Sequence, residues 1–196
     1  MLTRELLKKV KKVIAIEADK ELYEKLQVDF KNEIADGHLE LIHGDIRNWD
    51  FETYLNSRYS VKDGTYGYQV VANIPYYLTG EIFRKFLEAE SQPSAMTLLV
   101  QKEVADRIVA RDGKESILSL SVKAYGMPKR EFLVPRGAFK PAPNVDSAVL
   151  TIKNISRKNF SSREEEQLFF ALIKAGFAHK RKFVRNNLVE AGLPQG

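Results

Sequence analysis

Three short apolar runs, each closed by a polar residue and separated by helical or turn-rich stretches, do most to limit what this chain can fold into. Val13-Ile14-Ala15-Ile16 ends in Glu17, Leu39-Glu40-Leu41-Ile42-His43 leads to Gly44-Asp45, and Tyr68-Gln69-Val70-Val71-Ala72 ends in Asn73. The first is apolar on both faces, as a parallel strand covered by helices should be. Asp19 caps a helix reaching about Phe30, with Leu22, Leu26 and Phe30 on one stripe. The segment from Trp49 to Gly67 reads as polar and irregular, with a turn signal at Lys62-Asp63-Gly64. After Asn73 comes a helix with Ile82, Phe83, Phe86 and Leu87 inward. Ala95 to Val100 is a further buried strand leading into a helix from about Lys102, and Ile117 to Tyr125 is helical. Arg130 to Val134 and Ser147 to Ile152 read as a closing antiparallel pair. The alternation predicts an open α/β sheet with antiparallel strands at its C-terminal edge.

The tail differs. Ser161-Ser162 can cap a helix whose Glu164 and Glu165 suit its positive end, with Leu168, Phe169, Leu172 and Ile173 as the apolar stripe. Gly176 ends it, and Lys180 to Glu190 begin another helix. The expected organisation is therefore a main domain over residues 1–155 and a small helical domain over residues 158–196. Residues 1–150 carry 22 basic and 22 acidic side chains, whereas residues 151–196 carry 9 against 4, so the whole net charge of +5 lies in the tail. Such an excess suits a polyanion, although a basic helix is often only a solvated face.

Composition excludes other classes. No run approaches the ~18 apolar residues of a membrane span, and no signal peptide is visible. The absence of cysteine rules out disulfides and thiolate metal sites, which makes the cytoplasm the expected compartment. His38, His43 and His179 have no ligand spacing, so no metal is expected.

Ligands of open α/β sheets bind outside the carboxyl ends of the strands, and Glu17, Asp45 and Asn73 occupy three such ends. A carboxylate can accept from two ribose hydroxyls, and Asp45 can accept from an adenine amine. Each acid would equally serve as a cap or a solvated loop residue. Asn73-Ile74-Pro75-Tyr76-Tyr77 is more specific. The Asn73 side-chain carbonyl and a backbone carbonyl aimed by the Pro75 turn can converge on one exocyclic amine, directing its lone pair at an electrophile. Tyr76 can stack on the base, a contact of roughly 1–3 kcal/mol in nucleic-acid systems. Tyr77 could be a neighbour in stacking or a core residue.

Asn73-Ile74-Pro75-Tyr76 resembles the N-[LI]-P-[YF] motif of the S-adenosylmethionine-dependent rRNA adenine N6-dimethyltransferases. The resemblance continues through Gln101-Lys102-Glu103-Val104-Ala105-Asp106-Arg107, Leu118 to Val122, Phe139 to Val149 and Phe177 to Lys182, nearly end to end. It implies a Rossmann-like class I methyltransferase sheet plus a C-terminal all-α domain. It also implies that Glu17, Ala18, Asp45, Ile46 and Asn73 bind the cofactor, with Glu17 at the ribose and Asp45 and the Ile46 backbone at the adenine. Asn73, with the Ile74 and Pro75 backbone, would hold the target amine, Tyr76 would stack on the base and Phe139 would cover it. Lys180, Arg181, Lys182 and Arg185 would contact rRNA phosphates. The Tyr77-Leu78-Thr79 continuation and the Gln101 and Phe139 blocks look more like the KsgA branch, acting on adjacent adenines of small-subunit rRNA, than like the large-subunit branch. A non-catalytic RNA-binding or assembly factor and a DNA adenine methyltransferase are the other readings.

The family pattern opens with a Q-x-F-L segment and a glycine-rich E-x-G-x-G-x-G loop after its first strand, and neither occurs in this sequence. The expectation is accordingly a fragment of a longer product, cut at both ends and lacking the sheet's first strand.

Overall fold

The computed structural model describes residues 2–59, 67–179 and 183–192. The chain divides into two units, residues 1–58 and 59–196. In the first unit, α1 (Leu2–Leu7) precedes β1 (Val13–Glu17), α2 (Lys20–Asp29), α3 (Lys31–Ala35), β2 (Leu39–His43) and α4 (Phe51–Arg58). β1 and β2 pair in parallel, from Val13 opposite Leu39 to Glu17 opposite His43. Leu26, Phe30 and Leu39 are buried, with Leu7, Val13, Ala15, Ile34 and Leu41 packed against them. This cluster draws alternate residues from each strand, as the two-residue period of a strand requires. β1 is half-buried along its whole length, not buried on both faces as its apolar run predicts. Leu22, expected on the inner stripe of α2, is 42% exposed.

α4 replaces the irregular segment expected from Trp49 onward. Asp50 starts it by accepting a hydrogen bond from the Thr53 N–H at 3.0 Å, and Phe51 and Leu55, one turn apart, are buried. Its polar remainder hid that single apolar pair from the sequence reading.

The second unit contains β3 (Gln69–Asn73), a 3-10 turn (Tyr76–Leu78), α5 (Thr79–Leu87), β4 (Ala95–Gln101), α6 (Lys102–Val109), α7 (Ile117–Tyr125), β5 (Met127–Val134), a second 3-10 turn (Arg136–Ala138), β6 (Ser147–Lys153), α8 (Arg163–Gly176) and α9 (Val184–Glu190). Its sheet runs β3-β4-β6-β5, with β3 and β4 parallel and the β4–β6 and β6–β5 pairs antiparallel. The antiparallel C-terminal edge is thus as the sequence predicts. Met96 lies opposite Ile152, Leu98 opposite Leu150 and Val100 opposite Ala148, and all six are at most 1% exposed. Directly opposed residues share a face, so these pairs form one buried layer. The inward stripe of α5 is as predicted, with Ile82, Phe83, Phe86 and Leu87 all buried. Gly126 joins α7 to β5 where a Cβ would come within 2.7 Å of the Ile152 side chain and 3.0 Å of the Lys153 carbonyl, which leaves room only for hydrogen.

α8 keeps half of its predicted stripe. Phe169 and Ile173 are half-buried, whereas Leu168 and Leu172 are exposed, and the buried residue of this helix is Glu166. Phe169 turns toward Phe160 together with Phe170, which stacks on Tyr125 with ring centroids 5.7 Å apart. The Glu166 carboxylate receives the Tyr125 hydroxyl, Arg157 at 3.1 Å and Arg163 at 2.9 Å. Arg157 also donates to the Ala89 and Glu88 carbonyls, both at 2.6 Å, closing the C-terminal end of α5. Burial works against the Glu166 charge, but Tyr125, Arg163 and Arg157 outweigh it and hold the carboxyl below its ordinary range. α8 begins as predicted, with Ser162 capping the Glu165 N–H at 3.2 Å, and it ends at Gly176. Asn187 of α9 donates to the Gly176 carbonyl at 2.8 Å, tying the two helices together. Among the described residues no helix is long and apolar enough to cross a membrane.

Candidate functional site

Each unit presents its own set of strand-end polar groups. In the first, Glu17 and Asp45 follow the carboxyl ends of the paired strands β1 and β2, as the parallel register requires. One Glu17 oxygen accepts the Asp19 N–H at 2.9 Å, which shapes the turn into α2, and the Glu17 carbonyl accepts the Gly44 N–H at 2.9 Å. Ala18 is exposed within that turn. Asp45 is more heavily engaged. Its carboxylate accepts the Arg47 N–H at 2.9 Å and is gripped by the Arg47 guanidinium at 2.5 and 2.9 Å. Its carbonyl accepts the Asn48 and Trp49 N–H groups, both at 3.0 Å. The half-buried Ile46 has no acceptor for its N–H among the described residues.

The second unit holds Asn73 at the end of β3, opposite Leu99. Asn73 is exposed, and its carboxamide has no hydrogen-bond partner among the described residues. Ile74 then buries its side chain at 7% exposure, which pins the backbone at the point where the chain leaves the sheet. Pro75 sets the turn at φ −55° and ψ 133°. Its carbonyl accepts the Leu78 N–H at 2.9 Å. The Ile74 carbonyl accepts no hydrogen bond among the described residues.

Tyr76 is half-buried. Its carbonyl accepts the Thr79 hydroxyl at 2.9 Å, and its phenol meets the Ser147 hydroxyl at 2.7 Å. Tyr77 is 79% exposed, so the core reading of that ring does not hold. Phe139 is half-buried in the segment after the Arg136–Ala138 turn. Asp146 braces this segment, accepting the Arg136 N–H at 3.0 Å on its side chain and the Lys102 N–H at 3.0 Å on its carbonyl. Ser147, Asp146 and Arg47 had no role in the sequence reading. The first two lie inside the Phe139 to Val149 block, and Arg47 stands two residues past Asp45, so proximity was the one signal available.

Among the basic tail residues, Arg185 is exposed on α9, and Lys180, Arg181 and Lys182 lie outside the described residues. No group of three or more His, Asp or Glu side chains suited to a metal ion occurs among the described residues. His43 instead packs its ring 5.1 Å from that of Tyr23.

The profile of the family described as "Ribosomal RNA adenine dimethylase" matches residues 1–195. The chain is 39% identical over 192 residues to the ribosomal RNA small subunit methyltransferase A of Fusobacterium nucleatum subsp. nucleatum, covering 97% of this chain and 68% of that protein. Across such curated relatives it spans from 61 to 68% of their length. Among solved structures it resembles a dimethyladenosine transferase from Plasmodium falciparum, with a TM-score of 0.74 and 26% identity over 95% of this chain and 62% of that one. It also resembles the 23S rRNA methyltransferase ErmE, with a TM-score of 0.75 and 22% identity over 97% of this chain and 71% of that one. The second likeness speaks to the fold, which is the Rossmann-like methyltransferase arrangement.

Proposed function

The chain belongs to the ribosomal RNA adenine dimethylase family, and from that premise we propose that it transfers methyl groups from S-adenosylmethionine to adjacent adenines of small-subunit rRNA. The observation that carries the reading is the open Asn73 carboxamide beside the open Ile74 carbonyl, both held in place by a satisfied turn. Two acceptors on one exocyclic amine would accept hydrogen bonds from its two N–H groups and leave its lone pair for the methyl carbon. With the donor bound, the amine held there would attack its methyl carbon, S-adenosylhomocysteine would leave as a neutral thioether, one amine proton would pass to solvent, and a second donor molecule would give the dimethyl product. Tyr76 and Phe139 would hold the base between rings. Catalysis of this kind is positioning and electrostatics, with no nucleophile supplied by the protein.

The first unit suits the adenosine part of the donor. Glu17 keeps a second oxygen for ribose hydroxyls, beside Ala18, and the Ile46 N–H is available to an adenine nitrogen. Asp45 would accept the adenine amine by sharing its carboxylate with Arg47. S-adenosylmethionine, when bound, supplies an electrophilic methyl group. We assign residues 1–155 to the methyltransferase domain and residues 158–196 to RNA binding, with Lys180, Arg181, Lys182 and Arg185 on phosphates. Incubating the chain with isotope-labelled S-adenosylmethionine and a mixture of undermethylated small- and large-subunit particles, then locating dimethyladenine by mass spectrometry, tests the proposal. Label in neighbouring adenines of small-subunit rRNA is expected. Label confined to large-subunit rRNA, or none at all, would refute it.

A further inference from the structure

Ser147 is fully buried, yet its hydroxyl meets one side chain outside its own strand, the Tyr76 phenol at 2.7 Å. The two residues come from distant parts of the sequence. Tyr76 begins the 3-10 turn after Asn73, and Ser147 is the first residue of β6. Ser147 is held on both sides, opposite Gln101 of β4 and Val134 of β5. It is therefore among the best-fixed atoms near the turn, whereas Tyr76 is half-buried on a short irregular segment. The backbone of that segment is already set by the Pro75 carbonyl to Leu78 and by Thr79 on the Tyr76 carbonyl. What those bonds leave undetermined is the direction in which the Tyr76 ring extends, and the phenol–Ser147 bond fixes the position of its far end.

We infer that Ser147 is a positioning residue, anchoring the hydroxyl end of the Tyr76 ring where that ring stacks on the target adenine. The inference rests on the assignment of Tyr76 to base stacking. It has a chemical corollary: either hydroxyl can donate in this pair, so the Tyr76 oxygen is engaged with Ser147 and its ring face is what remains for substrate. A buried hydroxyl without a partner is unfavourable, which keeps the pair closed in the free protein. Ordering the ring beforehand spares that cost at binding.

The test compares S147A, Y76F and the double variant in methyl transfer to small-subunit particles, with thermal melts as the folding control. S147A and Y76F should each lower kcat/KM about threefold to tenfold, the range expected for leaving one side chain to order on binding. The double variant should be no worse than either, and S147T, which keeps a hydroxyl, should recover most of the loss. Wild-type kinetics in S147A, or a double variant whose losses multiply, would overturn the anchor. A second readout needs no catalysis. In protein labelled with meta-fluorotyrosine, whose fluorine is next to the hydroxyl, the Tyr76 fluorine signal, identified by its loss in Y76F, should move in S147A, where the hydroxyl loses its partner, and return toward its wild-type position in S147T. Identical Tyr76 signals in wild type and S147A would refute the anchor even if no methyl were transferred. A signal moved by S147A in a protein without transfer activity would leave the anchor standing and overturn the stacking assignment instead.

Discussion

Asn73 and Glu166 show opposite treatments of a polar side chain within one unit of this protein. Asn73 ends a strand, is exposed, and has no partner among the described residues, although the turn behind it is closed by Pro75, Tyr76 and Thr79. Glu166 is 5% exposed in a helix and is saturated by Tyr125, Arg157 and Arg163. An unpartnered polar group at the surface contributes little to folding and is available to a ligand. A buried carboxylate is tolerated only where its partners are supplied, and it then fixes how the elements bearing them pack. Glu17 and Asp45 in the first unit are intermediate, since each is half-buried and already engaged by its own loop.

Asn73→Ala should separate the two most sharply. Methyl transfer should fall about 100-fold or more, the scale seen when one preorganised hydrogen-bonding group is removed. Stability should move by no more than about 0.5 kcal/mol and S-adenosylmethionine affinity should be kept. A transfer assay, a melt and a calorimetric titration on the same preparation would check all three, and a large loss of stability would break the contrast.

Glu166→Ala should do the reverse. It strands two guanidinium groups and a phenol, so denaturant unfolding should show a loss of about 3 kcal/mol with turnover per folded molecule retained. The pH dependence has a definite sign. Because the folded carboxyl titrates below its ordinary value, its contribution is complete above the unfolded value of about 4.3 and fades as pH falls through the folded one. Glu88 opposes it: burial raises its carboxyl, so its contribution is present at low pH and is lost as pH rises through the folded value. Unfolding curves of wild type and E166Q should therefore converge on acidification. Curves that stay parallel would mean the cluster does not hold this charge.

Smaller effects are expected in the first unit. Asp45→Ala should weaken S-adenosylmethionine about tenfold, in line with a hydrogen bond to a charged group. Arg47→Ala should tighten it by up to about fivefold, because the exposed grip it releases is worth at most about 1 kcal/mol. Calorimetry on both variants would show whether Asp45 is free to serve the ligand; weaker binding in Arg47→Ala would make the guanidinium part of the site. Smallest of all, Leu168→Ala should change unfolding by less than about 0.5 kcal/mol, since this leucine is 52% exposed. A core-sized loss would restore the helix face read from the sequence.

Much of the second unit was legible because its patterns are unambiguous. The strand at Gln69–Asn73 is an apolar run closed by a polar residue, the α5 stripe recurs at helical spacing, and β5 and β6 are successive apolar runs that pair antiparallel. α4 was missed because its one buried pair, Phe51 and Leu55, is set among polar residues. The α8 stripe is legible only in part, because periodicity marks a broad face over Leu168, Phe169, Leu172 and Ile173 and does not say which edge of it packs; the Phe169 and Ile173 edge does.

The sequence by itself determined the alternation of strands and helices, the polar residues at the strand ends, the Asn73 to Tyr76 turn and the resemblance that family membership confirmed. These depend on local periodicity, turn chemistry and residue order, which the chain carries wherever it goes. Tertiary structure decided that Glu166 lies inside and Leu168 outside, that Arg47 grips Asp45, and that the Ile74 carbonyl is left open beside Asn73. It also decided that Tyr76 is tied to Ser147, 71 positions away. Those outcomes depend on which partner a polar or apolar group meets in space, and no periodicity along the chain specifies that.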